Sequence, residues 1–342
     1  MLYVVVGFLW TSLLIYVLSG GADFGAGIIE LFASRINKNK IRAASYRAIG
    51  PIWEANHMWL IIAVVVLFVG FPQIYTTVSV YLHIPLVIML IGIIARGTAF
   101  SFRNYDAVQD SMQAIYNRIY VYSSFITPLF LGIICGSAVS RQIDPGALDF
   151  YDAYIFDWLN WFSIAVGFFA VFLCGFLASV YLIGEAKDRD IKSVYSRLGR
   201  KMSLAMVLFT GMLLWVAHRE GIPLTIWILG NKVSLIATAL CAISFVFVWI
   251  MIAAGNRAGM RVFTVLMVTS LLIAVTYSHF PNVILLKDGH VISLIGSKEG
   301  LRTISILGKA LLGGSVFILP CLIYLIYTFS GSKDLPGTSE PE

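Results

Sequence analysis

Long unbroken apolar runs separated by short polar connections dominate this chain. At about 20 residues per bilayer crossing, they predict nine helical spans, at approximately 3–32, 51–71, 77–102, 118–140, 158–184, 201–217, 233–255, 261–279 and 306–329. A membrane β-barrel would show segments of about ten residues with alternating polarity, so a porin is excluded. The pattern predicts an all-α polytopic membrane protein: one membrane-embedded helical domain over residues 1–330 and a polar tail over 331–342. The first run is longer than one crossing needs, so it is expected to tilt or to project from the bilayer. It does not read as a cleaved signal, because Met1-Leu2-Tyr3 lacks a basic n-region and the run is too long. Pro51 suits the first turn of a helix, while Phe71-Pro72 and Phe280-Pro281 are expected to close theirs.

The positions of Lys and Arg predict the orientation. The connection after the first span carries Arg35, Lys38, Lys40, Arg42 and Arg47, and the one after the fifth carries Lys187, Arg189, Lys192, Arg197, Arg200 and Lys201. Arg103 with Arg118, and Arg257 with Arg261, mark two more connections on the same side. Residues 72–76 hold no cation, and 141–157 set Arg141 against four aspartates. Only the last outer connection, with Lys287, Lys298 and Arg302, breaks the alternation. The N-terminus is therefore expected outside and the C-terminus in the cytoplasm. The longest external connection, about 280–305, has room for a hairpin or a short helix.

Composition narrows the function. The 342 residues are 59% apolar and 12% charged, about half the charge of a soluble chain, and the mean hydropathy is +0.87. The net charge of +6 fits cytoplasmic loops facing anionic lipid rather than a nucleic-acid surface. Phosphate-binding loops and Gly-x-Ser-x-Gly elbows do not occur, which argues against a nucleotide-driven pump or a hydrolase. Cys135, Cys174, Cys241 and Cys321 fall on four different spans and read as small apolar packing residues. Gly132 and Gly136, four apart, would let two helices approach closely. His57, His83, His218, His279 and His290 offer axial ligands for a b-type haem only if two reach the same depth. Of these, His83, His218 and His279 lie near outer span ends, where ring-tipped residues need no cofactor.

Ionisable groups inside a span cost roughly 2.5–3.5 kcal/mol each and usually face a cavity, a partner or an ion path. Here they concentrate in the first three spans: Asp23 and Glu30, then Glu54 and His57, then Arg96 and Arg103. Asp23 precedes Glu30 by seven residues and Arg96 precedes Arg103 by seven, so each pair shares a helix face. Each inner member sits about 10 Å deeper than its partner. Glu54 and His57, three apart, also share a face. Three consecutive helices thus put polar groups in the cytoplasmic half of the bilayer, as a half-channel for protons would. Gly20, Gly21, Gly25 and Gly27 around Asp23 permit close approach, local unwinding or room for water. The plainer reading is an ion-paired network stapling the helices, with Asp23 and Arg96 expected as partners. The two readings are compatible, since a paired carboxylate with a tuned pKa can also relay protons.

Three stretches carry a resemblance. Gly20-Gly21-Ala22-Asp23-Phe24-Gly25-Ala26-Gly27, Gly50-Pro51-Ile52-Trp53-Glu54-Ala55-Asn56-His57-Met58-Trp59-Leu60-Ile61 and Arg96-Gly97-Thr98-Ala99-Phe100-Ser101-Phe102-Arg103 resemble subunit II of the cytochrome bd quinol oxidases. They come in family order, and the nine-span layout covers essentially the whole chain. The resemblance implies a haem-free subunit in a bacterial cell membrane. It would pack against a subunit I that carries two b-type haems, one d-type haem and the quinol-oxidising loop. It also implies oxygen reduction to water with quinol electrons and cytoplasmic protons. A small single-helix accessory subunit, a structural quinone in this chain and bound membrane lipid are further expectations of the resemblance. A proton route through subunit II would place Glu54 at its centre, with Asp23, Ser101, Glu30 and Asp106 along it. Arg96, Arg103, His57, Trp53 and Asn56 would form its polar surroundings. Two positions depart from some members: Gly20 and Ser101 stand where those carry an acid. A hydroxyl can pass a proton through water but cannot hold a charge, so Asp106 or Glu30 would take over uptake. The rival readings are a proton-coupled secondary transporter built on the same three helices, and a self-sufficient b-type cytochrome using the outer histidines.

Overall fold

The structure, a computed structural model, describes residues 1–34, 38–50, 53–105, 112–186, 188–295 and 300–331. Its elements run α1 (Leu2–Phe32), α2 (Lys38–Ile49), α3 (Trp53–Gly70), α4 (Pro72–Tyr81), α5 (His83–Tyr105), α6 (Met112–Val139), α7 (Phe150–Tyr154) and α8 (Trp161–Glu185). They continue with α9 (Arg189–Arg219), α10 (Leu224–Leu229), α11 (Lys232–Ala253), α12 (Arg257–Thr276), β1 (Asn282–Leu285), β2 (Val291–Ser293) and α13 (Leu301–Gly331). Among the described residues nine helices are long and apolar enough to cross a membrane: α1, α3, α5, α6, α8, α9, α11, α12 and α13. Pro51, Asp106, Lys187, Lys298 and the polar tail from Ser332 lie outside the described residues.

Several starts follow from caps. Asn160, Asp188, Asn231 and Asn256 each accept a hydrogen bond from a backbone N–H of the first turn of α8, α9, α11 and α12, satisfying donors that would otherwise be orphaned. Helix α8 lies at the centre, with Val171, Phe176 and Ala178 shut off from solvent. Helix α1 packs on α8, α6 and α3, while α5 lies against α6, α9 against α8 and α11 against α12. One apolar core joins α1 to α8, α9 and α12. A second joins Val5 and Leu9 of α1 to α3, α4 and the β-hairpin at the other end of the bundle.

Glycine sets the closest approaches. A Cβ at Gly25 would fall 2.0 Å from the Cys174 carbonyl oxygen of α8, and one at Gly27 would fall 2.2 Å from Ser124 Oγ of α6. Helix α1 nevertheless runs unbroken from Leu2 to Phe32, so these glycines serve approach and not unwinding. The Gly132–Gly136 step does the same between α6 and α8, where added Cβ atoms would meet Gly167 Cα at 2.8 Å and Ser163 Cα at 2.9 Å.

The structure corrects several element expectations. The basic stretch after α1 is not all loop: from Lys38 it forms helix α2, docked by Tyr195 Oη and Tyr181 Oη through the carbonyls of Ile41 and Ala48. Likewise Arg189, Lys192, Arg197, Arg200 and Lys201 ride on α9, which starts twelve residues before the expected 201. Its first turns are amphipathic, with Tyr195, Leu198 and Met202 buried beneath the cations, a pattern the apolar count alone misses. Pro72 opens α4 rather than simply ending α3, and α12 ends at Thr276, four residues before Phe280. Residues 282–293 form an antiparallel hairpin whose edge reaches Ile143. Cys174 is buried in the main apolar core and the half-buried Cys241 packs against it, as expected, whereas Cys135 and Cys321 are exposed on the chain's surface.

Candidate functional site

The charged residues of α1 and α5 meet in two parallel rungs. Asp23 is wholly buried and Arg96 nearly so. Arg96 Nη1 and Nη2 donate to the two Asp23 carboxylate oxygens at 2.9 and 2.6 Å, and Nη2 also donates to the Asp23 carbonyl at 3.0 Å. Arg96 Nε donates to Ser124 Oγ of α6 at 3.0 Å. The bidentate fork is the strongest geometry a carboxylate offers, and it uses the charge where a lone ion would be costly. Seven residues on, Arg103 Nη1 donates to Glu30 at 2.9 Å. The other Glu30 oxygen receives Arg42 Nε and Nη2 of α2 at 3.0 and 2.8 Å.

Aromatic faces fill the space between the rungs. The Tyr120 ring of α6 lies 4.0 Å from the Arg103 guanidinium and 5.1 Å from that of Arg96, with Phe24 at 5.0 Å on the other side of Arg96. Each guanidinium thus has a carboxylate for its charge and a ring for its plane. Spacing alone brought out the acids and arginines, but not Tyr120, Ser124 or Arg42. The signal for the first two was a hydroxyl stripe, Tyr120, Ser123, Ser124 and Thr127, on one face of a membrane span.

The third span behaves differently. Trp53 packs on Phe100 with ring centroids 5.1 Å apart, and Asn56 is buried. His57 is half-buried against Phe24, Tyr16 and Trp53, at 5.8, 6.4 and 6.4 Å between centroids. Glu54 instead stands exposed in the first turn of α3. It is aligned at helical spacing with the exposed Met58, Ile61, Val65 and Phe68. Among the described residues Glu54 joins no hydrogen bond or ion pair, so the rungs and Glu54 are separate features rather than one network. Ser101 is half-buried on α5, and Asp106 lies outside the described residues.

The outer histidines are engaged singly. His83 Nδ1 lies 2.8 Å from the Val80 carbonyl with its ring on Tyr154, and His279 packs on Trp227 at 4.7 Å. Among the described residues no three His, Cys, Asp or Glu side chains cluster as metal ligands.

The chain is similar in sequence and fold to known proteins. A family model described as cytochrome bd terminal oxidase subunit II matches residues 1–329. The cytochrome bd ubiquinol oxidase subunit 2 of Bacillus subtilis is 29% identical over 185 residues, 52% of this chain and 53% of that protein. The cytochrome bd-I ubiquinol oxidase subunit 2 of Escherichia coli K12 is 25% identical over 177 residues, 49% of this chain and 46% of that one. The aligned part of the chain thus spans about half the length of these curated relatives. The fold is that of a chain in the bd oxidase of Geobacillus thermodenitrificans, with a TM-score of 0.76 at 18% identity, over 97% of this chain and 99% of that one. The transporter reading finds no support in these likenesses. Nine apolar helices, and likenesses of this kind, describe a multi-pass protein of a bacterial membrane. The chain belongs to the family of cytochrome bd terminal oxidase subunit II.

Proposed function

We propose that this chain is the haem-free second subunit of a quinol:oxygen oxidoreductase, and that it conducts protons to an oxygen-reducing site held by its partner. In this reading subunit I carries two b-type haems and one d-type haem, which supply the electron transfer and oxygen chemistry, and it oxidises the quinol. Subunit II braces that partner and feeds it protons from the cytoplasm, so the enzyme builds proton-motive force without pumping. The N-terminus lies outside and the end of the bundle where α1 finishes faces the cytoplasm. Residues 1–330 act as one membrane domain.

The observation that carries the proton role is the exposed carboxylate of Glu54 on an otherwise apolar lateral stripe of α3. A titratable acid on such a surface has to be covered by a partner or to reach water, and a partner subunit supplies both cover and a recipient. Asp23 and Glu30, each clamped by arginine, act as fixed counter-charges that hold α1, α5 and α6 in register. Glu30 and Ser101 lie toward the cytoplasmic end, and Asp106 extends the same line in sequence. A structural quinone, lipid and a small accessory helix would occupy other faces of the assembly.

Purification of the tagged chain from its own membranes, with co-purifying chains weighed and a reduced-minus-oxidised spectrum recorded, tests this reading. A larger helical partner with b- and d-type haem signals, lost when this chain is isolated alone, is the expected result. A colourless lone protein, or haem retained by this chain by itself, would overturn it.

A further inference from the structure

Two polar atoms between α1 and α3 are left without a partner: Tyr16 Oη and His57 Nδ1 are both shut off from solvent and neither reaches a protein donor or acceptor. Tyr16 is 2% exposed, its ring lies 6.4 Å from that of His57, and the Phe24 ring closes the triangle at 6.4 and 5.8 Å. A buried hydroxyl and a buried imidazole nitrogen are each costly to leave unpaired. One is a donor and the other, in the tautomer protonated at Nε2, an acceptor. The three rings are in mutual contact, so the two orphaned atoms belong to one buried cluster, and a water is held where two or more polar partners meet it.

We propose that Tyr16 and His57 bind a water between them, and that His57 passes protons from this water to Glu54. Tyr16 O–H donates to the water oxygen, and the water donates to His57 Nδ1. When a proton reaches the water from the cytoplasmic side, the water gives one of its own to Nδ1. The imidazolium then releases its Nε2 proton toward Glu54, three residues earlier on the same helix, and tautomer exchange of the neutral ring through water returns the remaining proton from Nδ1 to Nε2 before the next transfer. The Asp23–Arg96 pair stays closed throughout, so transfer does not require breaking a bidentate ion pair. This proposal rests on the reading of Glu54 as a proton donor to the partner.

Nitrogen-15 NMR of the assembled complex in membranes, labelled at histidine, tests the site without turnover. His57→Gln, or His57→Asn where that complex fails to assemble, identifies the His57 signals. The expected result is an unprotonated Nδ1 that exchanges magnetisation with water protons, and Tyr16→Phe is expected to abolish that exchange. A protonated Nδ1, or a water signal at Nδ1 that survives Tyr16→Phe, overturns the site. In parallel, Tyr16→Phe and the His57 variant are expected to slow quinol-driven oxygen consumption several-fold with unaltered haem spectra. Parent rates in both, together with a slow Glu54→Gln, overturn this relay alone. A parent rate in Glu54→Gln defeats the underlying reading, while the NMR result still decides the water site.

Discussion

Arg96 grips both carboxylate oxygens of Asp23 from 73 residues away, and Arg103 reaches Glu30 across the same separation. Equal offsets mean that α1 and α5 run parallel and in register across α6, so two acids seven apart meet two arginines seven apart. Tyr120 stands between the two guanidinium groups. The result is a ladder of fixed, paired charge through one half of the bundle.

If the ladder is a staple, breaking one rung should cost far more than removing it. Asp23→Asn leaves the buried Arg96 charge uncompensated, an expected loss of about 3–5 kcal/mol. The yield of assembled complex and its thermal midpoint report it. Asp23→Asn combined with Arg96→Gln should recover a good part of that loss. A double variant as poor as the sum of the singles would remove the pairing energy from the account.

Gly25 makes a second case. Its alanine methyl would sit 2.0 Å from the Cys174 carbonyl oxygen and 2.6 Å from Ala178 Cβ, so Gly25→Ala must push α1 off α8. Overpacking of this kind costs about 1–3 kcal/mol. Gly184→Ala on α8, where nothing lies within 4 Å, is expected to be neutral or slightly stabilising. Thermal unfolding followed by far-ultraviolet circular dichroism separates the two, and equal midpoints would contradict the packing argument.

Asp157, in the connection before α8, gives a pH dependence. It is 1% exposed, and neither carboxylate oxygen makes a hydrogen bond of good geometry. Burial, with the Asp144 and Asp152 charges also close, pushes its carboxyl up to about 7, while the Asp144 backbone N–H and nearby Lys287 pull the other way. A folded pKa above the unfolded one means that protonation favours the fold. That contribution is complete below the unfolded pKa near 4 and is lost as pH rises toward 7. The thermal midpoint should therefore fall between pH 5 and 8, and Asp157→Asn should flatten that fall by roughly 2–4 °C. The neighbouring Asp144–Lys287 pair, at 2.9 Å, keeps Asp144 below its usual range, so it titrates outside this window. An unchanged pH slope in Asp157→Asn would exclude the carboxyl as its source.

The rungs were legible because membrane spans tolerate few charges, and the seven-residue spacing set both pairs on matching faces. Partners that carry no charge were not: Tyr120 and Ser124 are ordinary residues until Arg96 needs further hydrogen-bond acceptors beyond its carboxylate. Helix α2 and the first turns of α9 were hidden for the opposite reason. Their cations mark them as polar connections, although Ile41, Tyr195 and Leu198 beneath are buried. Glu54 was read as lying among the arginines because depth can be counted from sequence, whereas helix rotation depends on packing. Trp53, wedged on Phe100, turns the acid outward.

The outward turn of Glu54 is what the proposed proton route stands on, so Glu54→Gln is the deciding variant: shape is kept and the titrating proton is lost. Proton uptake accompanying oxygen reduction, followed in the assembled complex with reduced haems, is the measurement to make. The account expects uptake and turnover slowed by roughly tenfold or more, with haem spectra and assembly unchanged. Uptake at the parent rate in a fully assembled Glu54→Gln complex would contradict it.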